Sequence, residues 1–199
     1  MKIKITKDKQ GFETIYEKHE CSAISSVTIK HVEKQKPMTI EELAAAFHAG
    51  KFANVKDKPT AIECKFRDGV VSSFTHPKNN TAYVRQYGIS VTKDGKELFL
   101  QTWDDGLYCY ETIKGKLLWR SKTNCIGEIA VFDSVIACAQ MDKGIEIISI
   151  KGGSKIKSIP SNMSNLELKK LDDKNFIYKK NIGIYHKVSI NNFFEERVE

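Results

Sequence analysis

The sequence lacks the features that mark membrane-spanning, secreted and disulfide-stabilised proteins. None of its 199 residues lies in an apolar run of about 18, and residues 1–7 alternate lysine with apolar side chains instead of building a signal-peptide core. Its five cysteines are odd in number and include no Cys-x-x-Cys spacing. We therefore expect a cytoplasmic protein in which Cys64, Cys109 and Cys138 are buried as small apolar residues.

Arginine is scarce as well: only four of the 32 basic residues are arginine, although the net charge is +7. The lysines are spread singly along segments that alternate polar and apolar residues, which is typical of solvated strand faces and protected edges. Nucleic-acid-binding modules instead concentrate arginine and exposed aromatic side chains in one segment. The charge pattern therefore argues against a nucleic-acid partner, and the lack of an apolar span argues against a membrane.

Motifs for common catalytic and cofactor chemistry are missing too. There is no Gly-x-Ser-x-Gly, the five histidines are isolated, and Gly152–Lys155 is too short for a phosphate-binding loop. The acidic pairs Asp104–Asp105 and Asp172–Asp173 lie in turns, where aspartate accepts hydrogen bonds from its own backbone. We therefore predict a non-catalytic protein that holds no metal and no cofactor.

What the sequence does contain is a series of turn signals between short apolar runs, from Gly88 to Arg120. Four such runs are separated by Lys93–Gly95, Asp104–Gly106 and Lys114–Gly115. Asp-Gly and Lys-Gly pairs suit tight hairpin turns, because glycine adopts positive φ and aspartate tolerates it. The segment predicts a four-stranded antiparallel meander.

The order of these parts, over residues 88–120, resembles one blade of a β-propeller. From Gly106 to Trp119 the chain has the form Gly-Leu-Tyr-x-Tyr-x-Thr-x-x-Gly-Lys-x-x-Trp. This string is similar to the repeat of pyrroloquinoline-quinone-type propellers and, more loosely, to the tryptophan-aspartate repeat. The resemblance implies small sheets stacked around an axis. It does not imply the quinone cofactor, because only one repeat keeps the Gly-Lys-x-x-Trp ending.

Internal repetition extends this pattern along the chain. Glycines aligned on the second turn are spaced by 37, 38 and 39 residues, at Gly69, Gly106, Gly144 and Gly183. The last apolar residues of the first strands give steps of 50, 36, 40 and 40, at Ile5, Val55, Val91, Val131 and Leu171. One small sheet cannot bury both of its faces, so such repeats are expected to stack.

The long first step has a visible cause, an insertion that predicts a helix over Thr39–Gly50. Thr39 and Glu42 form a capping box, an apolar stripe follows, and Gly50 is a stop signal. The sequence thus predicts an all-β, propeller-like fold of about five four-stranded antiparallel repeats of some 38 residues, plus one helix, in a single domain over residues 1–199. An incomplete propeller or a twisted β-sandwich stays open as an alternative.

In propellers, the turns between second and third strands crowd one end of the ring together with the connections between blades. Tryptophan, methionine, arginine and phenylalanine at such tips are typical of protein interfaces. The sequence places ten candidate partner-binding residues there: Phe66, Arg67, Trp103, Asp104, Asp105, Arg120, Met141, Asp142, Lys143 and Lys180.

These observations favour a cytoplasmic module that binds another protein. Immunity proteins, which neutralise a delivered antibacterial toxin, are of this size and simplicity. Our specific hypothesis is that this protein is an immunity protein. Two other classes stay open. A sugar-binding propeller would use Trp103 and Tyr108 as stacking platforms, and a hydrolase or lyase would use Asp104 and Asp105, with His186 near the ring axis.

Overall fold

The computed structural model describes residues 2–8, 11–17, 23–31, 60–76, 89–102, 106–123, 125–140, 143–161, 167–181 and 184–198. These residues form strands joined by turns. The strands are β1 (Lys2–Asp8), β2 (Gly11–Glu17), β3 (Ile24–His31), β4 (Thr60–Phe66), β5 (Val71–His76), β6 (Ile89–Val91), β7 (Glu97–Thr102), β8 (Gly106–Glu111), β9 (Leu117–Ser121), β10 (Cys125–Val131), β11 (Val135–Gln140), β12 (Gly144–Ser149), β13 (Lys155–Ile159), β14 (Leu168–Lys170), β15 (Asn175–Asn181), β16 (Ile184–Ser189) and β17 (Glu195–Val198).

Within each sheet, strands that are consecutive in the chain pair with one another, and every pairing among the described strands is antiparallel. Sheet 1 contains β1 to β5, sheet 2 contains β6 to β9, sheet 3 contains β10 to β13, and sheet 4 contains β14 to β17. Sheets 2, 3 and 4 are therefore three successive four-stranded meanders. The meander predicted over residues 88–120 is sheet 2, and its turn signals are confirmed.

The described residues form four sheets where the sequence predicts five repeats. The first two predicted repeats share sheet 1, because β3 pairs with β4 along its whole length. Apolar residues face one another across this pairing, with Val27 opposite Cys64 and Ile29 opposite Ile62. Pairing β3 with β4 places the apolar side chains of both strands on one continuous face. In two separate sheets, each apolar face would need its own covering layer. The sequence also predicts strands at 52–56 and 81–85, and both ranges lie outside the described residues.

The four sheets pack face to face in chain order through three apolar layers. Side chains such as Ile62 and Leu98 fill the layer between sheets 1 and 2. Phe99 and Ile136 belong to the layer between sheets 2 and 3, and sheets 3 and 4 enclose a layer that includes Phe176. Sheets 2 and 3 are therefore covered on both faces, so they contribute alternate residues of each strand to different layers.

Strand β11 illustrates this double burial. All six of its residues, Val135–Gln140, are buried, as its nearly continuous apolar sequence predicts. The expectation for the cysteines is confirmed as well, because Cys64, Cys109 and Cys138 are free and buried. Each occupies a place in a strand that a small apolar residue would fill.

The first strands of sheets 2, 3 and 4 lie together, since β10 contacts both β6 and β14. We call the end of the molecule that carries the β6–β7, β10–β11 and β14–β15 turns the hairpin end. The opposite end, where Gly106 and Gly144 begin β8 and β12, is called the Gly106 end. Both glycines have positive φ, of 105° and 100°, and an added Cβ would lie 2.0 Å from a backbone oxygen. Their spacing of 38 residues therefore reports a true structural repeat.

A second repeat joins neighbouring sheets at the hairpin end. We call the last strand of each sheet its outer strand. The turns before the outer strands β9, β13 and β17 are each closed by a hydrogen bond from a backbone N–H to the carbonyl four residues earlier. These bonds run from Gly115 to Glu111, from Gly153 to Ser149 and from Phe193 to Ser189. A side chain from the outer strand of the preceding sheet packs on each of these turns. Phe74 packs on Gly115, Trp119 on Gly153 and Lys157 on Phe193. Strands β5, β9 and β13 are therefore equivalent outer strands.

This equivalence corrects the alignment of Gly69. Its turn joins β4 to the outer strand β5, so it corresponds to the Gly115 turn and not to Gly106. Ser72, just after this turn, donates a 2.8 Å hydrogen bond to the carbonyl of Ile113 in the β8–β9 turn. Gly69 therefore lies at the hairpin end, although its local Asp-Gly sequence resembles that of the Gly106 turn.

The helix predicted over Thr39–Gly50 lies outside the described residues, within the 32–59 connection between the paired strands β3 and β4. The prediction of a single domain over residues 1–199 also stays a prediction. In the described part of the chain, no helix has the length and apolar composition needed to cross a bilayer.

Candidate functional site

The structure describes five of the ten predicted partner-binding residues and divides them between the two ends. Arg120, Lys143 and Lys180 lie at the Gly106 end, whereas Phe66 and Arg67 flank the β4–β5 turn at the hairpin end. The other five, Trp103, Asp104, Asp105, Met141 and Asp142, lie outside the described residues.

The predicted grouping of all ten residues on one surface is therefore corrected. Its error follows from the alignment of Gly69, because a shift by one strand in an antiparallel sheet moves a turn to the opposite end. Phe66 also packs partly against the apolar layer between sheets 1 and 2, while Arg67 is exposed. A binding role for each residue stays a prediction.

At the Gly106 end, the side chains of Arg120 and Lys180 both contact other side chains of the protein. The guanidinium of Arg120 lies 5.3 Å from the centre of the Tyr108 ring. Tyr108 itself is 4% exposed and packs edge-on against His76, with 4.6 Å between ring centres. The expectation that Tyr108 is a sugar-stacking platform is therefore wrong, because its face is already covered. Lys143 is exposed and borders a cavity between sheets 2 and 3.

Lys180 belongs to a cluster around the carboxylate of Glu195 in sheet 4. Oε1 of Glu195 lies 2.7 Å from Nζ of Lys180, 2.8 Å from the Tyr178 hydroxyl and 2.6 Å from Nδ1 of His186. Burial alone would raise the pKa of Glu195, but the hydrogen bonds from Lys180 and Tyr178 outweigh it and hold that pKa below its ordinary value. Burial and the bond to Glu195 raise the pKa of Tyr178.

His186 is thus part of a cluster within sheet 4, where it lies on the third strand, β16. A catalytic role for it stays a prediction. Among the described residues, no group of three or more histidine, cysteine, aspartate or glutamate side chains could hold a metal ion.

A concave feature of the described structure lies at the hairpin end, where the β6–β7, β10–β11 and β14–β15 turns, together with the β12–β13 turn, line a cavity of about 820 Å³. Apolar side chains form part of its lining, among them Val91, Val131, Phe132 and Leu171. A salt bridge of 3.2 Å between Lys93 and Asp173 links sheets 2 and 4 across it.

Charges around this cavity are balanced. Its described lining includes four lysines and five acidic residues, although the chain as a whole is basic. The aspartates are held by their own turns: Asp94 accepts from the Lys96 backbone and Thr92, and Asp172 accepts from the Lys174 backbone. Hydrogen bonds from Lys93 and Lys170 hold the pKa of Asp173 below its ordinary value. Such a rim offers no concentrated positive field to a nucleic acid.

Exposed apolar side chains also occur in turns at the same end, and one of them, Leu171, lines the cavity. Sheet 1 contributes Val70, sheet 2 contributes Ile113, and sheet 4 contributes Leu171 and Phe194, each from a turn. Their exposed fractions are 51%, 61%, 48% and 65%. These turns are far apart in sequence, so only the stacking of the sheets gathers them on one surface. We call these four residues, together with the cavity, the hairpin-end surface.

The sequence contains signals for this surface that point to position and not to function. The segments ending at Val91, Val131 and Leu171 mark the ends of first strands, and their turns border the cavity. A search for apolar side chains next to turn glycines would also find Val70 and Ile113. Neither signal reveals which end of the molecule a turn occupies.

Two solved structures resemble this arrangement. BamB from Moraxella catarrhalis, a β-propeller, aligns with a TM-score of 0.52 and 11% identity, over 65% of this chain and 40% of its own. HIRA(644-1017) aligns with a TM-score of 0.51 and 9% identity, over 98% of this chain and 55% of its own. The chain has a β-propeller-like fold.

The propeller spans roughly half or less of the length of these two proteins. No family model matches its sequence, and no curated protein matches it. At such low identity the likeness concerns the fold alone, so the resemblance to pyrroloquinoline-quinone-type or tryptophan-aspartate repeats stays a prediction.

Proposed function

We propose that this propeller is a non-catalytic module that binds another protein through the hairpin-end surface. The observation that carries the proposal is that three sheets place exposed apolar side chains at the end of the molecule where the cavity lies. Large apolar side chains at loop tips bury area on contact with a protein partner, and clusters of them are unusual on a surface that stays solvated.

The charge around the cavity supports a protein partner over a nucleic acid. The lysines and aspartates that line the cavity, of both charge signs, suit the polar contacts of a protein interface. The carboxylates of Asp94, Asp172 and Asp173 support a non-catalytic role, because each is held by turn or lysine donors. The free thiols of Cys64, Cys109 and Cys138 suit the reducing cytoplasm, which is part of the proposal.

The test is capture of a partner by purified, tagged protein from a native lysate, compared between matched variants. Ile113→Asp and Phe194→Asp each place a charge on the hairpin-end surface. Val198→Asp does the same to an exposed apolar residue, 42% exposed, at the end of β17 near the Gly106 end. We expect the first two variants to lose a protein that the wild type and Val198→Asp retain. Equal retention by all three would contradict the proposed surface.

The specific partner that we propose for the hairpin-end surface is a delivered antibacterial toxin. A toxin encoded beside its gene would be expressed in a sensitive host with the wild type or with Ile113→Asp. Protection by the wild type and its loss in the variant would support the proposal. Binding of a different protein, without protection, would overturn the toxin as partner and leave the binding module in place.

A further inference from the structure

A second cavity, of about 540 Å³, lies between the outer parts of sheets 2 and 3 at the Gly106 end. Its described lining is mostly polar, with lysines, hydroxyls, an amide and one carboxylate. The hairpin-end surface contributes nothing to it. The volume lies within the range of small-molecule sites, but a polar lining suits a hydrophilic ligand.

The unusual residue in this cavity is Glu146. It pairs in register with Cys138 on β11 and with Ser158 on β13, so its side chain is on the face that packs against sheet 2. Other residues of that face, such as Ile136 and Ile148, are apolar. Glu146 is only 8% exposed. A carboxylate in such a layer is costly to bury unless it is fully paired.

That pairing is incomplete in the described structure. Nζ of Lys155 lies 3.0 Å from Oε1 of Glu146. Oε2 is buried and has no hydrogen-bond donor among the described residues. The equivalent position in sheet 2, 38 residues earlier in the chain, is Tyr108, an uncharged and buried residue. The fold therefore does not require a charge at this position. An unpartnered buried oxygen beside a polar cavity indicates that a donor comes from elsewhere.

The cavity also has an excess of positive charge. Lys155 is committed to Glu146, and Lys122 and Lys143 on the rim have no acidic partner in the part of the chain that the structure describes. Hydroxyl groups of Ser121 and Thr123, 2.9 Å apart, add donors and acceptors beside Lys122. A ligand that matches this lining carries an anionic group for the two free ammonium groups and a hydroxyl hydrogen for Glu146.

We propose that this cavity binds a small anionic polyol, a molecule of the chemistry of a sugar phosphate or a sugar acid. Its oxyanion accepts from Lys122 and Lys143, and one of its hydroxyls donates to the carboxylate of Glu146. The proposal is independent of the hairpin-end surface, because the two features share no residue and lie at opposite ends.

Calorimetric titration of the full chain tests the ligand class. Glucose 6-phosphate and glucuronate are the anionic polyols, glucose lacks the anion, and inorganic phosphate lacks the hydroxylated carbon chain. We expect at least one anionic polyol to bind about tenfold more tightly than both glucose and phosphate, since a charged hydrogen bond is worth about that factor. Phosphate binding as tightly as the polyols would overturn the polyol assignment, and no binding at millimolar ligand would overturn the site.

Substitutions test whether ligand binding depends on the residues of the cavity or only on the positive net charge of the chain. Lys143→Met is expected to weaken binding of the anionic polyol about tenfold. Lys157→Met removes the same charge from the β13 face that packs toward sheet 4 and should change the affinity less than twofold. Glu146→Gln removes the charged acceptor and releases Lys155, so it should lower the preference for the polyol over inorganic phosphate. Equal losses in Lys143→Met and Lys157→Met would overturn the proposal, since net charge alone would then explain binding.

Discussion

Replacing Gly153 with alanine tests the contact by which the outer strand of sheet 2 is held on sheet 3. Gly153 has φ of 70°, and an added Cβ would lie 2.4 Å from Cε3 of Trp119. The indole cannot move freely, because its Nε1 donates a 2.6 Å hydrogen bond to the carbonyl of Ile150. Gly153→Ala must therefore displace Trp119 or distort the turn.

The expected cost has separable parts. Left-handed backbone strain in alanine contributes about 1–2 kcal/mol. Loss of the indole hydrogen bond contributes about 1 kcal/mol, and overpacking about 1–3 kcal/mol. Gly153→Ala should therefore lower the free energy of unfolding by about 3–6 kcal/mol. Gly152→Ala is the matched control, because Gly152 also has positive φ, 116°, but an added Cβ would meet no heavy atom within 4 Å.

A double-mutant cycle isolates the contact with the ring. In a Trp119→Leu background the ring is absent, so Gly153→Ala should cost only the backbone strain, about 1–2 kcal/mol. Urea unfolding followed by circular dichroism gives all the free energies. If Gly153→Ala costs the same in both backgrounds, the two residues are not in contact and the pairing of outer strands with the next turn is wrong.

Two further predictions concern titratable groups. The folded-state pKa of Glu195 lies below its ordinary value of 4.5, so its stabilising contribution is complete above about pH 4.5 and disappears as pH falls through the lowered pKa. Glu195→Gln should therefore flatten the loss of stability in acid, measured as the urea midpoint between about pH 3 and pH 7, and an unchanged slope would contradict the cluster around Glu195. Burial, with a smaller effect of Glu63, raises the pKa of the Cys64 thiol to about 12, and burial also raises that of Cys109. Both thiols should resist iodoacetamide at pH 8 in the native protein and react after unfolding, as mapped by peptide mass spectrometry; labelling of Cys64 at the unfolded rate would refute its burial.

Much of the fold follows from local chemistry. The turns at Gly95, Gly106, Gly115 and Gly144 are predicted by residue type alone, because glycine with positive φ is a requirement of the turn itself. The apolar sequence of β11 likewise predicts burial on both faces. No local pattern in the sequence predicts the balanced charges of the hairpin-end cavity. Each lysine and aspartate is typical of a solvated turn, and only the tertiary structure brings the turns together.

The sequence by itself determined the strands, their hairpins, the repeat of about 38 residues and the burial of the cysteines, because these depend on neighbours along the chain. Only the tertiary structure decided that β3 pairs with β4 across residues 32–59, which is a non-local contact. That pairing sets the order of strands in sheet 1, and each added antiparallel strand reverses the end at which the next turn lies. Phe66, Arg67 and Gly69 are therefore at the hairpin end for a reason that no local motif contains.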